Sequence, residues 1–300
     1  MPGTYFGPYG AQYANQAEPA GGNCGRFPLG TKLILPDQRE YRYALAGGTA
    51  PVAASLYQSV APVANHTNIA VDVARAIGAT AISATLGATA AAIDIYSEGM
   101  DHINDATGEG YGHRIKRAQA AGDAHAAAAA SAVLTVNLTA GETVQVALVA
   151  STSEVSFTRN RFHAVIIHAS PPTAGLAGVS PIAGTGDYYF YAQTKGYAAV
   201  LADGTLLVGN PVQASITTDG AVEGAKIRIT MGATAAADST AGTLATDQDG
   251  AETAVRIMGA AASTSYDITG GIAKRAPLVG ICVKVNATTE QALIDLCYLD

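Results

Sequence analysis

The sequence predicts an all-β protein: two β-sandwich or barrel-like modules preceded by an extended N-terminal arm. Three observations predict this fold class. Apolar residues recur at every second position in many short stretches, which is the pattern of half-buried strands. Gly and Pro are frequent, at 33 and 12 of 300 residues, so the chain turns often. The apolar residues are mainly Val, Ile, Leu and Ala, with no Trp, as is typical of sheet-rich cores.

Residues 1–30 are interpreted as an extended arm. Tyr5, Tyr9 and Tyr13 are four residues apart, which would place them on one face of a helix. The many Gly and Pro residues around them disfavour a helix, however. Aromatic side chains on an extended segment need a surface to pack on, and the alternative is a frayed terminus. We expect deletion of residues 1–30 to leave the fold intact.

Residues 31–170 are predicted to form the N-terminal β module. The residues at 122–132 are rich in Ala but have no apolar stripe, so we expect a loop or one helical turn there. The stretches 132–138 and 142–149 are predicted to pair as a hairpin around the turn at 139–141. The strands predicted from alternation and turn residues are 41–45, 68–73, 80–86, 92–96, 112–116, 132–138, 142–149 and 164–168.

Residues 171–185 are rich in Pro and Gly and are predicted to be a linker to a C-terminal β module at 186–300. The second module begins with four consecutive aromatic residues at 188–191. Two apolar runs follow, 196–201 and 205–208, and the Asp-Gly pair between them predicts a tight hairpin. Residues 225–231 alternate as a strand, 232–250 suggest a loop and 254–258 another strand. Two apolar runs within 277–300 predict a closing hairpin.

The charge balance excludes several classes of partner. The chain has 17 basic and 24 acidic residues, a formal net charge of −7. Binding of nucleic acid requires clustered Lys and Arg, and the densest basic run, 113–117, is short and is interpreted as a solvated strand. Residues 1–30 lack the features of a signal peptide, and no apolar run is long enough to span a bilayer. We expect no nucleic acid or membrane partner, and synthesis in a cytoplasm.

No combination of residues indicates catalysis, a cofactor or a metal. His163 and His168 are predicted to lie on opposite faces of one strand, because five residues separate them. The acidic turn at 101–110 does not reproduce a calcium-binding loop, and the Gly-rich run at 108–112 lacks the residues of a phosphate loop. Three cysteines without a CxxC motif indicate free thiols, and Cys282 and Cys297 are interpreted as a buried thiol pair.

Three stretches resemble structural proteins of tailed bacteriophages, and most closely the capsid decoration, or cement, proteins. They are YAQTKGYAAVLADGTLLVGNPV at 191–212, ATGEGYGHRIKRA at 106–118 and PLVGICVKVNATTEQALIDLCYLD at 277–300. The resemblance implies a non-enzymatic protein of the virion surface. It also implies a homotrimer that binds where capsomers of the major capsid protein meet, with an arm that reaches neighbouring subunits.

The resemblance and the positions of the aromatic residues suggest candidates for contacts with the capsid or with other subunits. These candidates are Tyr5, Phe6, Tyr9, Tyr13, Tyr188, Tyr189 and Tyr191. A head-fibre, tail or baseplate component is the structural alternative. A phage glycan depolymerase would need carboxylates gathered in a groove, which sequence alone cannot place. A bacterial surface adhesin or layer protein would require a signal peptide.

Overall fold

The computed structural model of the chain describes residues 4–17, 25–225, 276–286 and 290–299. These residues form an all-β fold whose helical segments are two single 3-10 turns, Ala11–Tyr13 and Ala64–His66. The strands of the first half are β1 (Thr4–Phe6), β2 (Gln16–Ala17), β3 (Lys32–Ile34), β4 (Glu40–Leu45), β5 (Leu56–Gln58), β6 (Ile69–Ala70), β7 (Ala81–Thr85), β8 (Met100–Asp105) and β9 (Gly112–Arg114). Those of the second half are β10 (Val133–Asn137), β11 (Glu154–Thr158), β12 (Ile166–Ile167), β13 (Leu176–Val179), β14 (Tyr188–Leu201), β15 (Pro211–Ala214), β16 (Val222–Gly224), β17 (Leu278–Lys284) and β18 (Gln291–Leu296).

The long strand β14 organises a 12-stranded sheet of order β1-β3-β4-β14-β18-β17-β15-β16. Its first half pairs antiparallel with β4, and its second half pairs antiparallel with β18. The register with β4 shifts between Gln193 and Lys195, where the pairing with β4 ends. Strand β14 therefore joins the N-terminal part of the sheet to the C-terminal part.

Four further strands attach to this sheet, and one of them, β2, pairs with the start of β14. Strand β13 pairs with β14 and with β5, and β5 also pairs with β12. Strand β13 lies within 171–185, the segment that composition predicts to be a linker. The division of the chain into two modules at that segment stays a prediction, and a test of it is given in the Discussion.

Two smaller sheets lie between β5 and β12 in the chain. One has the order β6-β11-β8-β9, and the other pairs β7 with β10. Their apolar side chains share one core, named here the small-sheet core. Its buried residues are Val71, Ile82, Ala84, Leu86, Ala91, Tyr96, Ile103, Ile115, Ala118, Ala124, Ala128, Leu134, Val136, Leu138, Val144, Leu148, Val155 and Phe157.

The large sheet buries three other groups of apolar residues. The aromatic core consists of Leu29, Leu33, Leu35, Tyr41, Tyr43, Leu45, Tyr189 and Tyr191. The central core consists of Ala44, Ala46, Tyr57, Val165, Ala177, Phe190 and Ala192. The C-terminal core includes Leu56, Leu176, Val179, Val200, Val212, Val279, Ile294 and Leu296. Both faces of β4 and of the first half of β14 are thus covered.

Several predicted strands agree with the structure. Those at 41–45, 80–86, 112–116 and 132–138 correspond to β4, β7, β9 and β10, and the closing hairpin to β17 and β18. The strands predicted at 68–73 and 164–168 shorten to the two-residue strands β6 and β12. The Ala-rich stretch at 122–132 contains no helix, as predicted. The strands predicted at 225–231 and 254–258 and the loop at 232–250 lie almost wholly outside the described residues.

The strand predicted at 92–96 is wrong, because a buried carboxylate builds a turn there. Asp94 has a left-handed backbone (φ 54°), and its carboxylate accepts hydrogen bonds from the backbone N–H groups of Gly122, Ala124 and His125. A carboxylate that satisfies several N–H groups stabilises irregular chain in the same way as ladder hydrogen bonds stabilise strands.

The hairpin predicted between 132–138 and 142–149 is also wrong. Strand β10 pairs with β7, and residues 142–149 contain no strand. Val144 and Leu148 are buried as the alternation predicts, but their N–H groups bond singly to Ala79 and Arg75. Alternation identifies the buried face of a segment and does not identify its partner. Strand β8 was missed because polar residues occupy most of it. Strand β11 was also missed, although Val155 and Phe157 alternate in it.

The hairpin predicted around Ala202-Asp203-Gly204 does not form. Strand β14 ends at Leu201, residues 205–208 are irregular, and the next strand begins at Pro211. The partner of this end of β14 is β18, about 90 residues later in the chain. Leu206 is buried in the C-terminal core, so burial rather than pairing explains the apolar character of 205–208.

Candidate functional site

The N-terminal arm lies along the edge of the large sheet of its own chain. Strand β1 pairs in parallel with β3, and the N–H of Gly7 continues this pairing to the carbonyl of Ile34 at 3.1 Å. Strand β2 then pairs with the start of β14. The described part of the arm, residues 4–17, is therefore held by strand pairing at two places, which agrees with a docked arm.

The side chains of the arm divide into an anchored set and an exposed set. Gln12 is buried, and its Oε1 accepts a hydrogen bond from the N–H of Gly10 at 2.8 Å. Ala11 packs on the aromatic core, and Gln16 Oε1 accepts a hydrogen bond from the hydroxyl of Tyr43 at 2.7 Å. The four arm aromatics, by contrast, are exposed at 43%, 74%, 62% and 57%, and we call them the arm surface: Tyr5, Phe6, Tyr9 and Tyr13.

A chain of ring contacts connects the arm surface to the sheet. The ring of Tyr5 stacks on Phe27 at 5.9 Å, and Phe27 meets Tyr43 edge-on at 5.6 Å. Tyr43 in turn stacks on Tyr189 at 5.1 Å and contacts Tyr191 at 5.3 Å. Burial raises the pKa of the Tyr43 and Tyr191 hydroxyls, so both stay neutral at physiological pH. Ring contacts therefore connect Tyr5 of the arm surface to the aromatic core.

The three candidates on β14 lie elsewhere. Tyr189 and Tyr191 are 4% and 5% exposed within the aromatic core, and Tyr188 is half-buried beside β2. The interpretation of Tyr189 and Tyr191 as surface contacts therefore needs correction, because their side chains are not available to a partner in this structure. Alternation explains their burial: Phe190 faces the central core, whereas its two neighbours face the aromatic core.

Sequence reasoning missed a second exposed apolar row. Tyr197 on β14 is opposite Asp295 on β18, which is opposite Ile281 on β17. Tyr197 is 56% exposed and Ile281 is 39% exposed, and the half-buried Asp295 lies between them. Pro211, the first residue of β15, is opposite Ile281. These strands are far apart in the sequence, so only their pairing brings the row together.

The buried histidines act as cross-links between loops. His66 contacts the hydroxyl of Tyr96 through Nδ1 and the carbonyl of Thr89 through Nε2. His125 Nε2 accepts a hydrogen bond from the N–H of Tyr96 at 3.0 Å. Burial lowers the pKa of His125 and raises the pKa of Tyr96 to about 12. Both ring nitrogens of each histidine contact polar groups of the protein, so the two rings connect the loops that carry them.

His163 and His168 do not share a strand, since β12 covers only Ile166–Ile167. His168 is buried, accepts a hydrogen bond from the N–H of Gly220 at 2.7 Å and contacts the carbonyl of Ser215 at 3.2 Å. His163 lies in a turn after β11, where its N–H bonds to Asn160. Burial lowers the pKa of both histidines, that of His163 to about 4.

Two buried carboxylates form ion pairs. Asp101 Oδ1 lies 2.8 Å from His113 Nδ1, and both side chains are inaccessible to solvent or nearly so. The hydrogen bond with Asp101 raises the pKa of His113, and burial raises that of Asp101. Glu98 lies 3.1 Å from Arg117 and accepts a hydrogen bond from the N–H of Leu29 at 2.9 Å. Glu98 therefore connects Leu29, at the end of the arm, to Arg117, which follows β9 of the small sheets.

The described residues contain no group of three or more His, Cys, Asp or Glu side chains that could hold a metal ion. The two cysteines of the closing hairpin do not form a buried pair. Cys282 is buried opposite Ile294, whereas Cys297 follows β18 and is exposed. Cys24 lies outside the described residues.

No helix within the described ranges is long and apolar enough to cross a membrane. Comparisons with protein-family models, with curated proteins and with solved structures found no match for this chain.

Proposed function

We propose that this chain is a non-enzymatic structural protein of a tailed-phage virion that binds the outer surface of the capsid and stabilises the shell. The arm surface carries this proposal. Four aromatic side chains within ten residues are exposed, although strand pairing holds the backbone at Tyr5 and Phe6 and a 3-10 turn includes Tyr13. Contiguous exposed apolar side chains mark protein–protein contacts, and aromatic residues contribute strongly to such contacts.

The edge position of the arm supports the same role. Strand β1 is the terminal strand of the large sheet, and all three of its side chains are exposed. An edge strand offers unpaired N–H and C=O groups to an extended segment of a neighbour. A shell repeats the same contact many times, so weak contacts at each site combine into tight attachment. A homotrimer at the junctions of major capsid protein subunits would use this effect.

The engagement of the titratable groups also supports a structural role. His66, His125 and His168 contact polar groups of the protein through both ring nitrogens. Asp101 Oδ2, His113 Nε2 and His163 Nδ1, by contrast, are buried without a partner among the described residues. Hydrogen bonds to a histidine on both ring nitrogens fix its tautomer and hold its position.

The test is co-sedimentation of the purified protein with undecorated shells assembled from the major capsid protein of the same genome. Deletion of residues 1–30 would also remove Leu29, which is buried in the aromatic core and bonded to Glu98. The double substitution Phe6→Ser with Tyr9→Ser is cleaner, because both side chains are more than 60% exposed. We expect wild-type protein to bind stoichiometrically and the double variant to bind at least about tenfold more weakly.

The matched control is Tyr111→Ser, which removes a 45% exposed tyrosine between β8 and β9, away from the arm. It should bind shells as the wild type does. Equal losses in the control and the double variant would remove the arm surface from the proposal. Absence of shell binding by the wild type would overturn the proposal, and binding to purified tails instead would identify a tail component. Mass photometry of the free protein tests the trimer.

A further inference from the structure

A cleft opens where the chain leaves the small sheets and crosses to the large sheet. Its volume is about 280 Å³, close to the lower end of the range of small-molecule sites, about 300–1,000 Å³. The walls are residues 59–63 after β5, residues 157–161 at the end of β11, and residues 174–175 before β13, with Tyr96. Most of this lining is apolar, including Val60, Pro62 and Phe157.

Arg159 is the polar group of the cleft that lacks a partner. Its Nε is buried and has no hydrogen-bond partner in the described part of the chain. None of the described residues that line the cleft carries a carboxylate. Arg159 as a whole is half-buried, so its charge keeps some contact with solvent. A cation in a largely apolar cleft that no lining carboxylate balances favours an anion from outside.

The neighbours of Arg159 are already engaged within the protein. Asn160 Nδ2 donates to the carbonyl of Glu98 at 3.1 Å, and its Oδ1 accepts from the N–H of Phe162 at 2.9 Å. Arg161 Nε donates to the carbonyl of Leu176 at 2.7 Å, and Arg161 Nη2 donates to that of Leu299 at 3.1 Å. These bonds hold the loop that carries Arg159 in place.

The electrostatic effect of Arg159 reaches the groups around it. Burial and, to a smaller extent, the positive charge of Arg159 together lower the pKa of His163 to about 4. The same charge opposes the rise in the pKa of Tyr96 that burial causes. His163 Nδ1, like Arg159 Nε, is buried without a partner. The pKa values of His163 and Tyr96 therefore depend on the charge at Arg159, so their titration reports the binding of an anion there.

The shape and charge of the cleft select among anions. A guanidinium offers a planar pair of donors that matches a carboxylate, and one such cation balances one negative charge. A phosphate dianion would need further donors, whereas the remaining walls favour an apolar body. The geometry points to a binding site for a monocarboxylate with an apolar stem, in which Arg159 holds the carboxylate and the walls around Val60 and Phe157 hold the stem.

Two sources could supply this chemistry: a free small carboxylate, or the carboxylate of a polypeptide chain end. The probes are hexanoate and the peptide acetyl-Leu-Leu with a free C-terminus, each titrated into the full chain by calorimetry. The uncharged analogues, hexanamide and the amidated peptide, are the ligand controls. Binding of hexanoate indicates a small-molecule site, and binding of the peptide alone indicates a site for a chain end.

Three variants locate the binding. Arg159→Gln removes the cation, and we expect it to weaken binding at least about tenfold. Ala174→Leu keeps Arg159 but fills the cleft, so it should weaken binding to a similar extent. Arg26→Gln removes an exposed arginine that lies over Phe27, outside the cleft, and it should leave the affinity unchanged.

An NMR titration of His163 gives a second readout that does not depend on the fold of a variant. A carboxylate bound at Arg159 offsets the positive charge, so the pKa of His163 in the wild-type protein should rise from about 4 when the ligand is present. Absence of saturable binding by both probes would overturn the proposal. So would binding that survives Arg159→Gln in a folded variant, or binding that leaves the titration of His163 unchanged.

Discussion

At the scale of single residues, buried titratable side chains make the stability of this protein depend on pH. His163 has Nδ1 buried without a partner, and burial holds its pKa near 4, below the ordinary value of 6.5. The folded state therefore binds this proton less readily than the unfolded state does. Such a group stabilises the fold fully at pH values above 6.5, and this stabilisation is lost as the pH falls towards 4.

The substitution His163→Gln should remove this pH dependence. We expect the difference in the free energy of unfolding between wild type and variant to change by at most ~3 kcal/mol between pH 6.5 and pH 4, with the wild type losing more stability. Urea unfolding at several pH values measures it. The exposed His102→Gln variant on β8 is the control and should follow the wild type. Parallel curves for wild type and His163→Gln would contradict the assignment.

The pair of Asp101 and His113 supports a second prediction at this scale. Asp101→Ala leaves His113 buried without its carboxylate, and removal of one partner of a buried pair costs about 3–5 kcal/mol. Urea unfolding at pH 6, where the raised pKa of His113 favours its charged form, measures the loss. The exposed Asp72→Ala variant should change stability by less than about 0.5 kcal/mol. A loss as small as that of Asp72→Ala would show that the pair contributes little.

At the scale of the element, the closing hairpin depends on one glycine. Gly280 on β17 is opposite Leu296 on β18, and a Cβ built on Gly280 would overlap the carbonyl oxygen of Asp295. Because that oxygen belongs to the backbone of the neighbouring strand, relief requires the two strands to separate. The close approach of the strands therefore requires glycine at this position.

Gly280→Ala should destabilise the protein by about 2 kcal/mol or more, since overpacking against backbone cannot be relieved by a rotamer change. Thermal or urea unfolding measures this. Gly224→Ala on β16 is the matched control, because the nearest atom to its Cβ, the carbonyl oxygen of Thr205, is 4.0 Å away. That control should remain within about 1 kcal/mol of the wild type. Equal stability of the two variants would show that β17 and β18 can move apart at no cost.

At the scale of the whole molecule, the four cores differ in how local they are. Among the described residues, the buried side chains of the small-sheet core all come from residues 71–157. The C-terminal core, by contrast, needs Leu56 and Leu176 together with Val200 and Ile294. The central core likewise combines Tyr57 with Phe190. The small sheets can therefore bury their own core, whereas the large sheet requires residues from both ends of the chain.

Fragments test this difference and the predicted boundary at 171–185. We expect residues 64–160 to unfold cooperatively on their own, and residues 186–300 to show no cooperative transition, because β14 would lose β4 and the C-terminal core would lose Leu56 and Leu176. Circular dichroism during urea titration measures both. A cooperative transition of 186–300 would instead support an independent C-terminal module.

Local patterns in the sequence were sufficient for some features and not for others. The alternation of Tyr41, Tyr43 and Leu45 predicted β4, and the apolar runs of the last 24 residues predicted the β17–β18 hairpin. The Asp-Gly pair at 203–204 predicted a hairpin that does not form, because β18 occupies the place beside β14 that a local return strand would take. Local turn propensity is weak compared with the burial of a central strand.

The candidate contact residues also divide into those that local sequence patterns placed correctly on the surface and those that the tertiary structure buries. The Gly and Pro content of residues 1–30 predicted an extended arm, and the tyrosines at positions 5, 9 and 13 are exposed on it. The tyrosines at 189 and 191 have equal aromatic character but are buried, since they pack within the aromatic core on one face of the sheet. Exposure of a side chain depends on what covers its strand.

The sequence by itself determined the all-β class and the positions of many strands, because both follow from period-two alternation and from turn residues within a few positions of each other. Only the tertiary structure decided the order of strands around β14, the separation of exposed from buried tyrosines, and the cleft at Arg159. Each of these depends on segments separated by tens to hundreds of residues, such as β5, β11 and β13 around the cleft. Contacts between such segments form only when the whole sheet is assembled, so no local pattern encodes them.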